Sequence, residues 1–363
     1  MEYKAEDIKT LDWKDHIRLR PGMYIGYLNM KGIWNIIYEI LIEIINNSKE
    51  ESLIEILLNE SQITLHLRFK DTSTHFKYLD KIGIYAGGSS FGIPVVVSLS
   101  EKCKLDVIYD CKLVNRIAEK GNLNDCLYLD TKEENSITID FIIDKTIFKI
   151  TELNFDYLCQ QVQQFAYTAS NCRFICEDKT TKQIRKFHYK NGLTELFNLK
   201  MIETYQQNNE SVFLKTKIDN YEYEICINLN GGKYGRDNIT FANNFHTTHG
   251  GSLESSIQKG VIKAIKQWTL NTFEKSAFKY YKTKKAYLVN DLFIVAGIFG
   301  KDFTYYGSTK HKLGMPEIER KLNNYIYKEV LKHFNNNIEE TKILLKNLYI
   351  ICNDDEQDKE TFF

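Results

Sequence analysis

The sequence is poor in several things that would each announce a structural class. It has only three prolines in 363 residues and no Pro- or Gly-rich linker, so neither a collagenous repeat nor a Pro-rich linker divides it. No apolar run approaches the roughly 18–20 residues needed to cross a bilayer, and the opening Met-Glu-Tyr-Lys-Ala-Glu-Asp lacks the features of a secretion signal. A cytoplasmic protein without a membrane partner is the expectation. Lys plus Arg equals Asp plus Glu at 48 each, which removes global basicity as an argument for nucleic-acid binding and leaves local patches to be judged separately. Eight cysteines are present, yet none forms a C-x2-C pair. Cys172 and Cys176 fall on one face of an expected strand about 13 Å apart, too far to share a zinc ion, so free thiols are expected.

What is present is ordinary globular composition, 43% apolar and 26% charged, over a length that suits two domains. Residues 32–50 carry apolar side chains at 33, 36, 37, 40, 41, 44 and 45, the spacing of a helix that buries one broad face. Residues 53–58 and 62–69 read as a hairpin. A glycine cluster from Ala86 to Pro94 leads into VVVSLS, either strand or helix by periodicity. Strands are expected near 104–110, 125–130, 136–143, 172–177, 184–189, 211–217 and 221–229. Helices are expected at 154–169, 191–198, 252–281 and 315–334. The order is that of an α+β protein, and with no linker signal the boundary is placed at 205, giving domains 1–205 and 206–363. The tail from Asn353 to Glu360 is acidic.

Arg20-Pro-Gly-Met-Tyr-Ile-Gly26 resembles a signature of the ATPase component of bacterial type II DNA topoisomerases, gyrase B and its topoisomerase IV counterpart. Further segments resemble that family in the same order: Gly32 to Ser48, Phe187 to Gly192, Phe241 to Ser252 and Ser308 to Gly314. The resemblance implies a GHKL (Bergerat-type) α/β sandwich followed by a ribosomal-S5-like transducer domain. It also implies ATP and Mg²⁺ as cofactors and a homodimer closed by nucleotide. Nothing in the sequence resembles the metal-binding TOPRIM domain, so strand passage by this chain alone is not expected.

Carried over residue by residue, the resemblance gives Glu39 as general base and Lys310 as the lysine that reaches the γ-phosphate. Gly87, Gly88, Ser89, Ser90 and Gly92 match the phosphate-cradling loop. Tyr3 and Ile8 match the arm that reaches a partner's nucleotide. Glu43 stands where the family holds Mg²⁺ with Asn, and is read as a lost or substituted ligand. The family's adenine-binding Asp is replaced by Leu67, a neighbouring Gly by Phe69, and a Thr by Ile137. Lys259, Lys263, Lys266, Lys282, Lys284 and Lys285, with Trp268, Tyr280 and Tyr281 interleaved, match either a DNA-guiding face or a solvated helix. Two readings follow: a module with degenerate ATP binding that dimerises and acts on DNA or a topoisomerase partner, and a divergent active ATPase.

Overall fold

The structure, a computed structural model, describes residues 12–45, 51–73, 79, 82, 92–149, 152–203, 211–229, 237–272, 292–307 and 310–345. Contacts divide the chain into two compact units, 1–190 and 191–363. The division falls before the expected 205 because the helix Leu193–Ile202 packs on strands of the second unit.

The first unit begins with helices α1 (Trp13–Leu19), α2 (Gly22–Ile25) and α3 (Met30–Ile45). The apolar period seen in the sequence is the buried face of α3, where Ile33, Ile37, Ile40 and Leu41 are essentially inaccessible. Each such side chain contributes about 1.5–3 kcal/mol relative to exposure. Strands β1 (Ser52–Asn59) and β2 (Gln62–Arg68) form the expected hairpin. VVVSLS belongs to a helix, α4 (Gly92–Leu99), followed directly by β3 (Ser100–Tyr109). The unit continues with β4 (Lys112–Glu119), β5 (Asn122–Leu123), β6 (Leu127–Asp130), β7 (Ser136–Ile143), α5 (Phe155–Thr168), β8 (Cys172–Asp178) and β9 (Gln183–Phe187).

These strands form one nine-stranded sheet in the order β5-β4-β3-β7-β2-β1-β8-β9, with β6 also paired to β4. Every pairing is antiparallel except β1 with β8, where Ser52 lies beside Cys172. Alternation gives the sheet two unlike faces. Ile54, Ile56, Ile63, Leu65, Ile139 and Phe174 are buried, and Phe165 of α5 packs edge-on between Tyr38 of α3 and Phe174 of β8. The opposite face is polar: Gln62 donates to Asp140, His66 bonds Thr138 and Asn115 donates to Asp106.

The second unit contains α6 (Leu193–Ile202), β10 (Ser211–Ile218), β11 (Tyr221–Asn228), β12 (Ile239–Ala242), β13 (Phe245–His246), α7 (Ser252–Thr272), β14 (Phe293–Phe299) and α8 (Pro316–Asn336). Its five-stranded sheet has the order β10-β11-β14-β12-β13. β14 reads FIVAGIF without polar alternation because both of its faces are covered. Ile294, Ala296 and Ile298 join the core with α7 and α8, while Phe293 stacks on Phe197 of α6. Gly260 of α7 lies so close to α8 that a Cβ there would come within 2.9 Å of Asn323 O and 2.7 Å of Ile326 Cβ. Among the described residues no helix is long and apolar enough to cross a membrane, and none of the seven described cysteines is in a disulfide.

Candidate functional site

In the first unit, α4 is set directly against the backbone of α3. A Cβ on Gly92 would fall 2.7 Å from Ile40 N and 2.9 Å from Glu39 C, so only glycine allows α4 to begin there. Glu39 and Glu43, one turn apart on α3, are both half-buried, flanked by the buried Tyr38, Ile40 and Ile44. The close approach brings the Glu43 carboxylate to the first turn of α4, where Oε2 accepts from the Ile93 amide at 3.4 Å. Amides in a first helical turn lack partners within the helix and favour negative charge. Glu43 therefore supplies an anion to the end of α4.

Beneath α4, side chains from three strands line up across the sheet. Leu67 pairs with Ile137, and Ile137 with Val107; their exposures are 0%, 2% and 2%. Phe69 beyond them is also buried. A small cavity here is lined by Leu79, Ile93, Leu105, Asp106, Val107, Ile137, Thr138 and Ile139. The polar side chains of Asp106 and Thr138 are engaged with Asn115 and His66 on the polar face of the sheet. Gly92 is the described member of the predicted phosphate loop; Gly87, Gly88, Ser89 and Ser90 lie outside the described residues, as do Tyr3 and Ile8.

In the second unit, the chain between β12 and α7 meets the loop that carries Lys310. Asn243, in the left-handed region at φ 52°, accepts from Gly300 N at 3.0 Å and donates to Gly300 O at 3.2 Å. Asn238 accepts from Ile294 N and donates to Glu254. Gly251 has φ +124°, and a Cβ on it would lie 2.2 Å from Leu313 O. This close crossing permits a run of main-chain bonds: His249 N to His311 O at 2.9 Å, Leu313 N to Gly250 O at 3.0 Å and Ser252 N to Leu313 O at 3.0 Å. Lys310 itself has φ 56°, a conformation that costs a non-glycine residue on the order of 1–3 kcal/mol.

The lysine row of α7 has neighbours on α8. Lys259 Nζ is 2.7 Å from Glu319 Oε2, and Lys263 Nζ donates to Asn324 and sits 4.4 Å from the centre of the Tyr327 ring. Lys266 is exposed. Trp268, read in the sequence as interleaved with these lysines, is instead 3% exposed, packs on Phe334 and donates to Asn335. Its position follows the apolar period of α7, which points it into the core. Lys282, Lys284, Lys285, Tyr280 and Tyr281 lie outside the described residues. Thr248 Oγ1 lies 3.0 Å from His311 Nδ1, a link with no signal in the sequence, since it depends on the crossing at Gly251.

The two units have the fold of a type II topoisomerase ATPase region: a GHKL sandwich followed by a transducer domain. The topoisomerase IV ATP binding domain of Francisella tularensis, solved with a small-molecule inhibitor, superimposes with a TM-score of 0.78 at 17% identity, covering 95% of this chain and 98% of that one. The 43K ATPase domain of Thermus thermophilus gyrase B, solved with an aminocoumarin, does so with a TM-score of 0.73 at 17% identity, over 97% and 98%. A family profile for DNA gyrase B matches residues 177–361, and the chain belongs to that family. The DNA gyrase B protein of Clostridium acetobutylicum is 25% identical over 384 residues, covering 94% of this chain. The chain spans 58% of that relative's length.

Proposed function

We propose that this chain is a gyrase-B-like module with degenerate adenine recognition, which works by dimerising and by acting on DNA or a topoisomerase partner in the cytoplasm. The observation that carries this reading is the buried row Leu67–Ile137–Val107. As packed, these side chains do not fit an adenine amino group: none is a hydrogen-bond acceptor. Leaving that group unpaired in a dry pocket costs about 1–3 kcal/mol, roughly five- to 150-fold in affinity. Glu43 adds to the mismatch, because its carboxylate takes up an α4 amide of the kind that binds phosphate oxygens. Mg²⁺ bound by Glu43 would have to draw it away from Ile93.

A divergent ATPase is the second reading, favoured by Glu39 at the Gly92 contact and by the left-handed backbone of Lys310. In that reading Glu39 and Lys310 keep the roles the family resemblance implies, and Tyr3 and Ile8 form the arm between the two copies of the dimer. Sedimentation with millimolar non-hydrolysable ATP analogue and Mg²⁺ separates the two. The degenerate module gives no nucleotide-dependent dimer. Closure by the analogue that Lys310→Ala abolishes would overturn it in favour of the ATPase.

A further inference from the structure

Three imidazoles gather where the Lys310 loop crosses the turn after β12. His246 ends β13, His249 follows three residues later, and His311 comes from the facing loop. The rings of His249 and His311 have centroids 5.4 Å apart, Phe245 lies 6.3 Å from His311, and His246 is 5.2 Å from Phe241. Thr248 Oγ1 is 3.0 Å from His311 Nδ1. The same stretch is joined through the main chain by His249 N to His311 O and Leu313 N to Gly250 O. Rings and backbone thus fasten one short segment from both sides, and that segment carries Lys310.

We propose that His246, His249 and His311 form a proton-sensitive clasp that holds the Lys310 loop against the turn and loosens when His246 or His311 is protonated. The hydrogen bond to Thr248 is not the sensitive part, because a hydroxyl can donate or accept. Charge is. A proton on His311 acts on His246 across the cluster and disfavours a second one there, while the Lys312 ammonium lies 5.4 Å from the centre of the Tyr306 ring. Tyr305 packs on Phe245 from the loop as a neutral group. The acid nearby is Glu254 in the first turn of α7, placed against Gly250 and engaged by Asn238 and Gln258.

Burial, and secondarily the neighbouring imidazole, holds both His246 and His311 below the ordinary histidine value. The unfolded or released loop then binds more protons than the fastened one. Fastening is at full strength above the unfolded value of about 6.5 and declines as pH falls from there towards the depressed values. The consequence for Lys310 rests on the reading of that residue given above: acidification would withdraw the lysine from its fixed presentation.

Amide exchange in the full chain without nucleotide tests the clasp independently of ATP binding, so failure of nucleotide-driven closure leaves the result readable. Between about pH 7.5 and about pH 5.5, the protection factors of the His249 and Leu313 amides, which bond across the crossing, should fall roughly tenfold, while those of Ile225 and Ile227 in β11 hold. His311→Asn keeps a partner for Thr248 but cannot titrate, and should flatten the dependence. A flat wild-type profile, or an equal fall in a His246→Asn, His249→Gln, His311→Asn triple variant, would overturn the proposal. Should the variants not fold, the imidazole titration of wild-type His311 by NMR decides: a midpoint below about 6.5 supports the clasp, and one at or above it sinks it.

Discussion

On the floor of the first unit, Leu67, Ile137 and Val107 meet side by side with nothing polar between them. At the loop crossing of the second unit, Asn243, Thr248 and His311 are each bonded to the facing segment. The first arrangement is held by area and tolerates exchange of one apolar side chain for another. The second is held by direction, and each partner must be in place. A fold can therefore persist while the contacts on its sheet change character, whereas a loop built from reciprocal hydrogen bonds keeps its shape only as a set.

Three substitutions probe this contrast, beginning with the severest. Gly251→Val drives a side chain into the Leu313 backbone at a positive φ and should cost the second unit more than about 4 kcal/mol, read as a fall in its urea midpoint. An effect under about 1 kcal/mol would mean that the crossing yields easily, and the contrast would fail. Leu67→Asp buries a carboxylate in the apolar row and should destabilise the first unit by about 3 kcal/mol. Repeating the melt with an ATP analogue sharpens it: recovery in the variant, without a matching gain in wild type, would assign the missing contact to that position. Glu319→Ala releases Lys259 from an exposed ion pair and should change stability by less than about 1 kcal/mol. If the α7 lysines contact DNA, the same variant binds duplex more tightly at low salt; unchanged, salt-insensitive binding would retire that patch.

Elements whose burial is one-sided are legible from the sequence. α3 shows its buried face in its spacing, and β2 alternates as the residues of a half-covered strand do. β14 escapes assignment because FIVAGIF is covered on both faces, leaving no period to detect. β4 is hidden for another reason: Val114 and Asn115 are both buried, which breaks its alternation. Of the site, the one-turn spacing of Glu39 and Glu43 is legible, but the amide that Glu43 meets belongs to Ile93, fifty residues on. Trp268 reads as surface among the lysines around it, although its own position follows the buried period of α7. Contacts between distant segments are set by backbone crossings, and one chain read alone carries no sign of where those crossings fall.

The parallel pairing of β1 with β8 has a consequence in time. Ser52 lies against Cys172, so the sheet of the first unit closes only after nearly all of that unit has been synthesised, and the β1–β2 hairpin must wait with one edge unpaired. Closing so long a loop slows folding more than it weakens the final state. The exposed edge of β1 during that interval is where a chaperone or a second nascent chain would act.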